Sequence, residues 1–263
     1  MVNKMQAALI RKELKGVTGS RSFFLDYMLV PLIMALIIPV GATLMAVFMD
    51  NSADEFAQIM AMLTIAVPEG GEDFAVVQAL INYVMPMFFL MIPTLTATVM
   101  AAASFTGEKE RRTLETLLYS PMSLRETFNA KVIGAFLLSM IVTVISFVLM
   151  NVVVMGLVWL LLGEWLIPGI VWLVVIGLVA PAFSFIGIIF QVRVSAKAKS
   201  SEEAYQRSAI LILPLVLMIV SQFTGILLIS TWMFLVLGIV LAMLAWGLMR
   251  AAFSKFTYEE LLK

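Results

Sequence analysis

The sequence predicts an all-α membrane protein. It has six transmembrane helices, an N-terminal interfacial helix, a short cytoplasmic helix between the second and third spans, and both termini in the cytoplasm. Three observations carry this reading. Of 263 residues, 62 % are hydrophobic and only 13 % charged, too apolar for a soluble domain. The apolar runs divide into six stretches that can each cross a hydrocarbon core of roughly 30 Å at about 1.5 Å per residue. In this topology all 17 Lys and Arg fall on the inner side, while the outer connections hold Asp50, Asp54, Glu55, Glu69, Glu72, Asp73 and Glu164 and no base. The bias of basic residues toward the cytoplasm therefore fixes the orientation. Joining the fifth and sixth runs into one span would break the pattern.

The composition excludes several chemistries. The chain has no cysteine and no histidine. That removes a disulfide framework, a Cys/His zinc site and nucleophile systems of the Ser-His-Asp or Cys-His kind. A carboxylate-only metal site has no motif to support it. Net charge is zero, and the bases sit at span ends instead of on one soluble face, which argues against nucleic-acid binding. No Gly-x-x-x-x-Gly-Lys-Ser/Thr occurs, and Gly107-Glu-Lys109 lacks the preceding glycine loop. The chain cannot cradle ATP by that motif, so no enzyme activity is expected of it. There is no internal repeat and no low-complexity segment.

Residues 1–21 carry Lys4, Arg11, Lys12, Lys15 and Arg21 against Glu13, with Met5, Ala8, Leu9 and Val17 as a rough apolar stripe. This reads as an interfacial helix with its bases at the lipid headgroups. A signal peptide competes, but the apolar run that follows is too long and no cleavage site is well placed. Residues 22–263 form the transmembrane domain. Its first span, Phe23–Met49, contains Pro31 and Pro39 as possible kinks and Asp26 near its inner end. Asp26 reads either as an interfacial acid near Arg21 or as an ion-coupling group. The outer element, 50–73, has a capping-box pattern at Ser52 and Glu55, an apolar helix Phe56–Val67 too short to span, and a turn at Pro68–Gly71.

The second span is Phe74–Ala103, with Pro86 and Pro93, and the third is Val132–Leu162, with Asn151 in its outer half. After the outer turn Gly163–Gly169 comes the fourth span, Ile170–Gln191, with Pro181. The connection Arg193–Arg207 has a capping pattern at Ser200 and Glu203. The fifth span is Ala209–Leu228, with Pro214, and the turn Ile229–Trp232 leads to the sixth, Met233–Met249. The tail after Arg250 has a capping pattern at Thr257 and Glu260.

Between the second and third spans lies a charged stretch, 104–123. Glu108, Lys109, Glu110, Arg111, Arg112 and Glu115 are crowded together, and Leu114, Leu117 and Leu118 follow at helical spacing. This is the pattern of a short amphipathic helix on a membrane surface. Composition alone equally allows a solvated loop. Ser120-Pro121 ends the helix, because the residue before a proline is pushed out of the helical region. Ser123 and Glu126 have the spacing of a capping box that starts the next helix.

The run Ser-Phe-x-Gly-Glu-Lys-Glu-x-x-Thr-Leu-Glu-x-Leu-Leu-x-Ser-Pro from Ser104, with Lys131 at the foot of the next span, resembles the type-2 permease family of ATP-binding-cassette transporters. The likeness is greatest to its sodium-exporter and drug-exporter-like branch. It implies a permease subunit of an exporter in the plasma membrane, working by alternating access. ATP and Mg would bind separate ATPase subunits, and a second permease would complete a homodimer or heterodimer. The stretch 104–123 would then be the coupling helix. By the same resemblance Glu108, Glu110, Arg111 and Glu115 face the ATPase, with Thr113 and Pro121 in the same motif. Leu114, Leu117 and Leu118 seat the helix, and Gly107 supplies a turn at the membrane exit.

In that family the second and fifth spans line the substrate path, which here singles out Gln78, Asn82 and Tyr83 on the second and Ser221, Gln222 and Thr224 on the fifth. Gln78 and Asn82 are four residues apart and share a helix face. Interhelical hydrogen bonding is the competing reading for all six. The short turn between the fifth and sixth spans departs from the family's lipid-exporting and multidrug branch. The substrate is left open among sodium, a peptide, a lipid and a drug-like molecule. Two rival functions remain: a secondary transporter or channel acting alone, and a membrane anchor or assembly subunit.

Overall fold

The computed structural model describes residues 4–19, 21–48, 71–110, 123–198, 200–223 and 230–255. Among these there is no strand, and six helical stretches are long and apolar enough to cross a membrane. The outer element 50–70, the coupling-helix residues 111–122, Thr224 and the tail beyond 255 lie outside the described residues.

Helix α1 (Lys4–Gly19) precedes α2 (Arg21–Phe48), the first span. α1 packs along the third span as well as on α2. Met5 and Ala8 of the predicted stripe are exposed, and among the described side chains of α1 Ile10 is buried. α2 runs unbroken through Pro31 and Pro39, so neither proline ends the helix. The hydroxyl of Thr43 donates to the carbonyl of Pro39 at 2.8 Å, satisfying a polar group that hydrocarbon cannot.

The second span is jointed. It consists of α3 (Glu72–Ala79), a π-helical turn (Leu80–Val84), α4 (Met85–Phe89) and α5 (Met91–Glu110). The fourth is built likewise from α7 (Val171–Val174), a π-helical turn (Val175–Val179) and α8 (Ala180–Lys197). At the two turns the Met85 N–H reaches back to Leu80 O and the Ala180 N–H to Val175 O, five residues instead of four. In each case a proline, Pro86 or Pro181, stands two residues beyond the wide turn. A proline has no N–H, and its ring crowds the carbonyl four residues back. Those carbonyls belong to Asn82 and Gly177, both inside the π-turns. The widened turn relieves the crowding without ending the helix.

The third span, α6, is a single helix over Leu124–Leu162. Its 39 residues extend to roughly 58 Å, nearly twice the hydrocarbon core. The predicted capping box starts it. The Glu126 N–H donates to Ser123 Oγ (3.3 Å), and the Ser123 N–H donates to Glu126 Oε2 (2.9 Å). Gly163 closes it with a left-handed φ of 72° and an N–H bonded to Trp159 O at 3.0 Å, a conformation that glycine adopts without steric penalty. The predicted cap at Ser200 also forms, with the Glu203 N–H donating to Ser200 Oγ at 3.1 Å. It opens α9 (Ser201–Ser208), which continues through a 3₁₀ turn (Ala209–Leu211) into α10 (Ile212–Phe223), the fifth span. The sixth is α11 (Thr231–Lys255).

The helices overrun several predicted boundaries. The third begins eight residues before Val132, the second continues past Ala103 to Glu110, and the fourth continues past Gln191 to Lys197. Apolarity ends at the membrane surface, whereas backbone hydrogen bonding does not.

The second span is the central and most buried helix. α5 packs against α6, α8 and α9, α2 packs on α6, and α11 packs on α8. Two levels tie the second, third and fourth spans together, and a third level ties the second to the third. Phe89, Phe147 and Trp172 supply one ring each, with centroids 5.2–6.1 Å apart. Below them, Ser139 Oγ lies 3.0 Å from Thr96 Oγ1 and 3.1 Å from Ser184 Oγ, and it donates to the Pro93 carbonyl at 3.0 Å. All three hydroxyl residues are fully buried. Phe136 and Phe185 stack nearby at 4.1 Å. At the basic end, Lys131 donates to the Ser104 carbonyl, with its ammonium 5.3 Å from the Phe105 ring centre. Close approach is possible because small residues line the contacts: a Cβ at Gly187 would already touch Thr98 and Ala97.

Ser139→Val removes the hydroxyl shared by three spans and is expected to cost about 0.6–1.7 kcal/mol for each interhelical bond lost. Thermal unfolding in detergent should show a lower midpoint, whereas Val152→Ala on the exposed face (64 % exposed) should leave it nearly unchanged.

Candidate functional site

Two places in the fold hold the residues that the sequence singled out. The first is at the acidic end, around the π-turn of the second span. Asn82 is 8 % exposed, and both ends of its amide are used. Its Nδ2 donates to the backbone carbonyl of Gln78, one helical turn back, at 3.0 Å, and its Oδ1 accepts from the Gly169 N–H at 2.6 Å. The second bond pins the start of the fourth span to the second. Gln222, 5 % exposed, donates from Nε2 to the carbonyl of Tyr83 at 2.7 Å, tying the fifth span to the same π-turn.

Asn82, Tyr83 and Gln222 are thus brought together. Ser221 is turned back on its own helix, where its hydroxyl donates to Met218 O at 2.8 Å. The Gln78 backbone carbonyl takes part, but its side-chain Oε1 is buried without a hydrogen-bond partner. Gln222 Oε1 and Trp172 Nε1 are buried without partners as well. A buried polar atom without a partner costs free energy, so this end of the bundle holds an unmet demand for hydrogen bonds.

The second place is the basic end, where α5 and α6 frame the charged stretch. α5 stays helical through Gly107 and Glu108 to Glu110, so Gly107 makes no turn, contrary to the expectation. A glycine inside a helix is tolerated where the flanking residues propagate the hydrogen-bond ladder. Arg111, Thr113, Leu114, Glu115, Leu117, Leu118 and Pro121 lie outside the described residues. Around the exit, Lys131 is only 4 % exposed. Asn129 Oδ1, Thr106 Oγ1, Ser104 Oγ and Gln191 Oε1 are buried there without partners. The salt bridge Arg207–Glu203, at 2.6 Å, lies on the surface of α9. Among the described residues no group of three or more acids is placed to hold a metal ion.

Several participants escaped the sequence reading. Gly169 acts through its N–H, which carries no side-chain signal. Ser139, Thr96 and Ser184 are single small polar residues in apolar runs, and their meeting depends on the order in which the helices pack. Lys131 has a motif and a charge signal in the sequence, and neither indicates that it is buried.

Six helices among the described residues are long and apolar enough to cross a membrane, which is the build of a multi-pass membrane protein. The chain belongs to the ABC-2 family of transporter proteins, whose family description, ABC-2 family transporter protein, matches residues 7–233. It is a permease-family, multi-pass membrane protein, and the plasma membrane is the usual location of that family. Family members are membrane subunits, generally not catalytic, that normally pair with ATPase subunits. Comparison with curated proteins and with solved structures returns no match.

A methyl group added at Gly169 would lie 2.8 Å from Asn82 Oδ1, so Gly169→Ala must displace that amide. The expected loss is about 0.5–1.5 kcal/mol of stability. It should nearly vanish when Gly169→Ala is made in an Asn82→Ala background, and a double-mutant cycle by thermal unfolding checks the coupling.

Proposed function

We propose that this chain is the membrane-spanning subunit of an ATP-driven exporter. Two permeases, identical or closely similar, form the path, and two separate ATPase subunits bind ATP and Mg and dock at residues 104–123. The observation that carries this reading is the construction of the basic end. α5 and α6 both continue beyond the apolar core and present a charged, leucine-bearing stretch between them. Glu108, Glu110, Arg111 and Glu115 face the ATPase, with Thr113 and Pro121 completing the motif and Leu114 and Leu118 seating the helix. Charge pairs at such a rim set partner choice more than affinity. With every Lys and Arg assigned to one side, that end and both termini are cytoplasmic.

The path runs between the second and fifth spans, past Gln78, Asn82, Tyr83, Ser221, Gln222 and Thr224. The amides there lie at a joint with unmet hydrogen-bonding capacity. ATP drives the cycle because the nucleotide-bound partner favours one arrangement of the spans over the other.

Purification in mild detergent with its neighbouring gene products, followed by intact mass analysis, should give two permeases with two ATP-binding chains. A permease that never carries an ATPase, even with nucleotide, returns the reading to a secondary transporter or an anchor. Glu110→Arg or Glu115→Arg should weaken capture of the ATPase by about tenfold, because charge reversal sets like charges against each other at the rim, while the unfolding midpoint of the permease stays the same. Capture at wild-type strength overturns the docking assignment.

A further inference from the structure

We infer that the π-turn of the second span is an outer latch, and that release of Gln222 from the Tyr83 carbonyl is the step that opens the path at the acidic end. The inference rests on the exporter reading for its place in a transport cycle, but the latch itself is a property of this chain alone.

Three observations lead to it. The first is how unequally the spans are fastened. The second, third and fourth are joined by the aromatic cluster Phe89–Phe147–Trp172, by the hydroxyls of Thr96, Ser139 and Ser184, and by Lys131 on the Ser104 carbonyl. The aromatic and hydroxyl contacts join all three spans and Lys131 joins the second to the third, so these spans are fastened to one another at several levels. The fifth span packs chiefly on the second. It exposes Leu213, Val216, Leu217 and Val220, and near its end Gln222 donates to Tyr83 O of the second span.

The second observation is the character of the acceptor. Tyr83 O lies in the π-turn that Pro86 imposes, where the backbone ladder is already altered. π-turns within helices are common at sites where function needs a local break in the ladder. The same turn carries Asn82, whose amide holds Gly169 on the opposite side. One five-residue joint thus fastens the start of the fourth span through a side chain and the end of the fifth through a carbonyl.

The third observation is that the fastened state is incompletely satisfied. Gln222 is 5 % exposed, and while its Nε2 is paired its Oε1 has no partner; Gln78 Oε1, at the same end, has none either. A fully paired amide would have no reason to leave. Gln222 gains a partner for Oε1 when water enters, which offsets the loss of the bond to Tyr83. Release of Gln222 therefore costs less than the loss of a whole hydrogen bond, as a latch requires.

The test uses the permease chain, which has no cysteine of its own. Ser221→Cys places a single thiol beside the latch at a half-buried position. Labelling by a small, water-soluble maleimide then reports opening. Gln222→Leu in this background should raise the labelling rate about two- to tenfold, the population change expected from losing one hydrogen bond. Gln222→Asn, which keeps the amide but shortens its reach, should raise it as well and serves if the leucine variant does not fold. Leu217→Ala, on the exposed face of the same helix, should leave the rate unchanged.

An unchanged rate in a folded Gln222 variant overturns the latch, as does an equal rise in the Leu217 variant, which would signal general loosening of the helix. Because the readout needs no partner, failure to bind an ATPase would count against the exporter reading and leave the latch result standing.

Discussion

Hydrocarbon offers no hydrogen-bond partner, and the whole bundle is arranged around that deficiency. Polar groups placed in a span depend on the protein itself for their partners. Thr43 and Asn151 do so locally, by bonding carbonyls four residues back in their own helices. Ser139 does so across helices, and thereby sets which faces of the second, third and fourth spans meet. The aromatic cluster and the small residues at Gly187 then fill the contact that the hydroxyls specify. A few short polar side chains thus decide a packing arrangement that the surrounding leucines and valines would leave open, since lipid is as apolar as they are.

The prolines act on the backbone in a complementary way. Pro86 and Pro181 each stand just past a π-turn, and each turn contains the carbonyl that the proline ring crowds. The result is a pair of adjacent spans with joints near the same membrane face. Pro31 and Pro39 impose no such change: α2 continues through them. The difference lies in context. The joints at 80–84 and 175–179 are held by contacts to neighbouring helices, with Gly169 and Gln222 at the first and α11 against the second.

Much of the fold was legible from hydropathy and charge, because both report directly on what a bilayer accepts. The helix starts at Ser123 and Ser200 were legible too, since a capping box is a local pattern and its hydrogen bonds form within four residues. The span ends were not. Leu124–Lys131 and Ser104–Glu110 are polar enough to leave the membrane yet remain helical, and hydropathy cannot distinguish those two properties. At the candidate site the spacing of Gln78 and Asn82 placed them on one helix face, but the bond between them runs from the Asn82 side chain to the Gln78 backbone carbonyl. The partners of Asn82 and Gln222 on other spans were beyond reach: one is the N–H of Gly169 and the other the carbonyl of Tyr83, and backbone groups look alike in every residue. The resemblance in 104–123 identified the family, but the residues that would dock lie largely outside the described structure.

The uninterrupted length of α6 has a mechanical consequence. A rod of roughly 58 Å that tilts by about 5° at one end moves its other end by about 5 Å, without breaking a single internal hydrogen bond. The second span, which enters the same charged stretch from the other side, cannot behave so, because its joints at 80–84 and around Leu90 absorb bending. A push on the segment between them is therefore divided unequally. One arm is a stiff lever that carries displacement the full depth of the membrane, and the other is a hinged strut that yields near the far face.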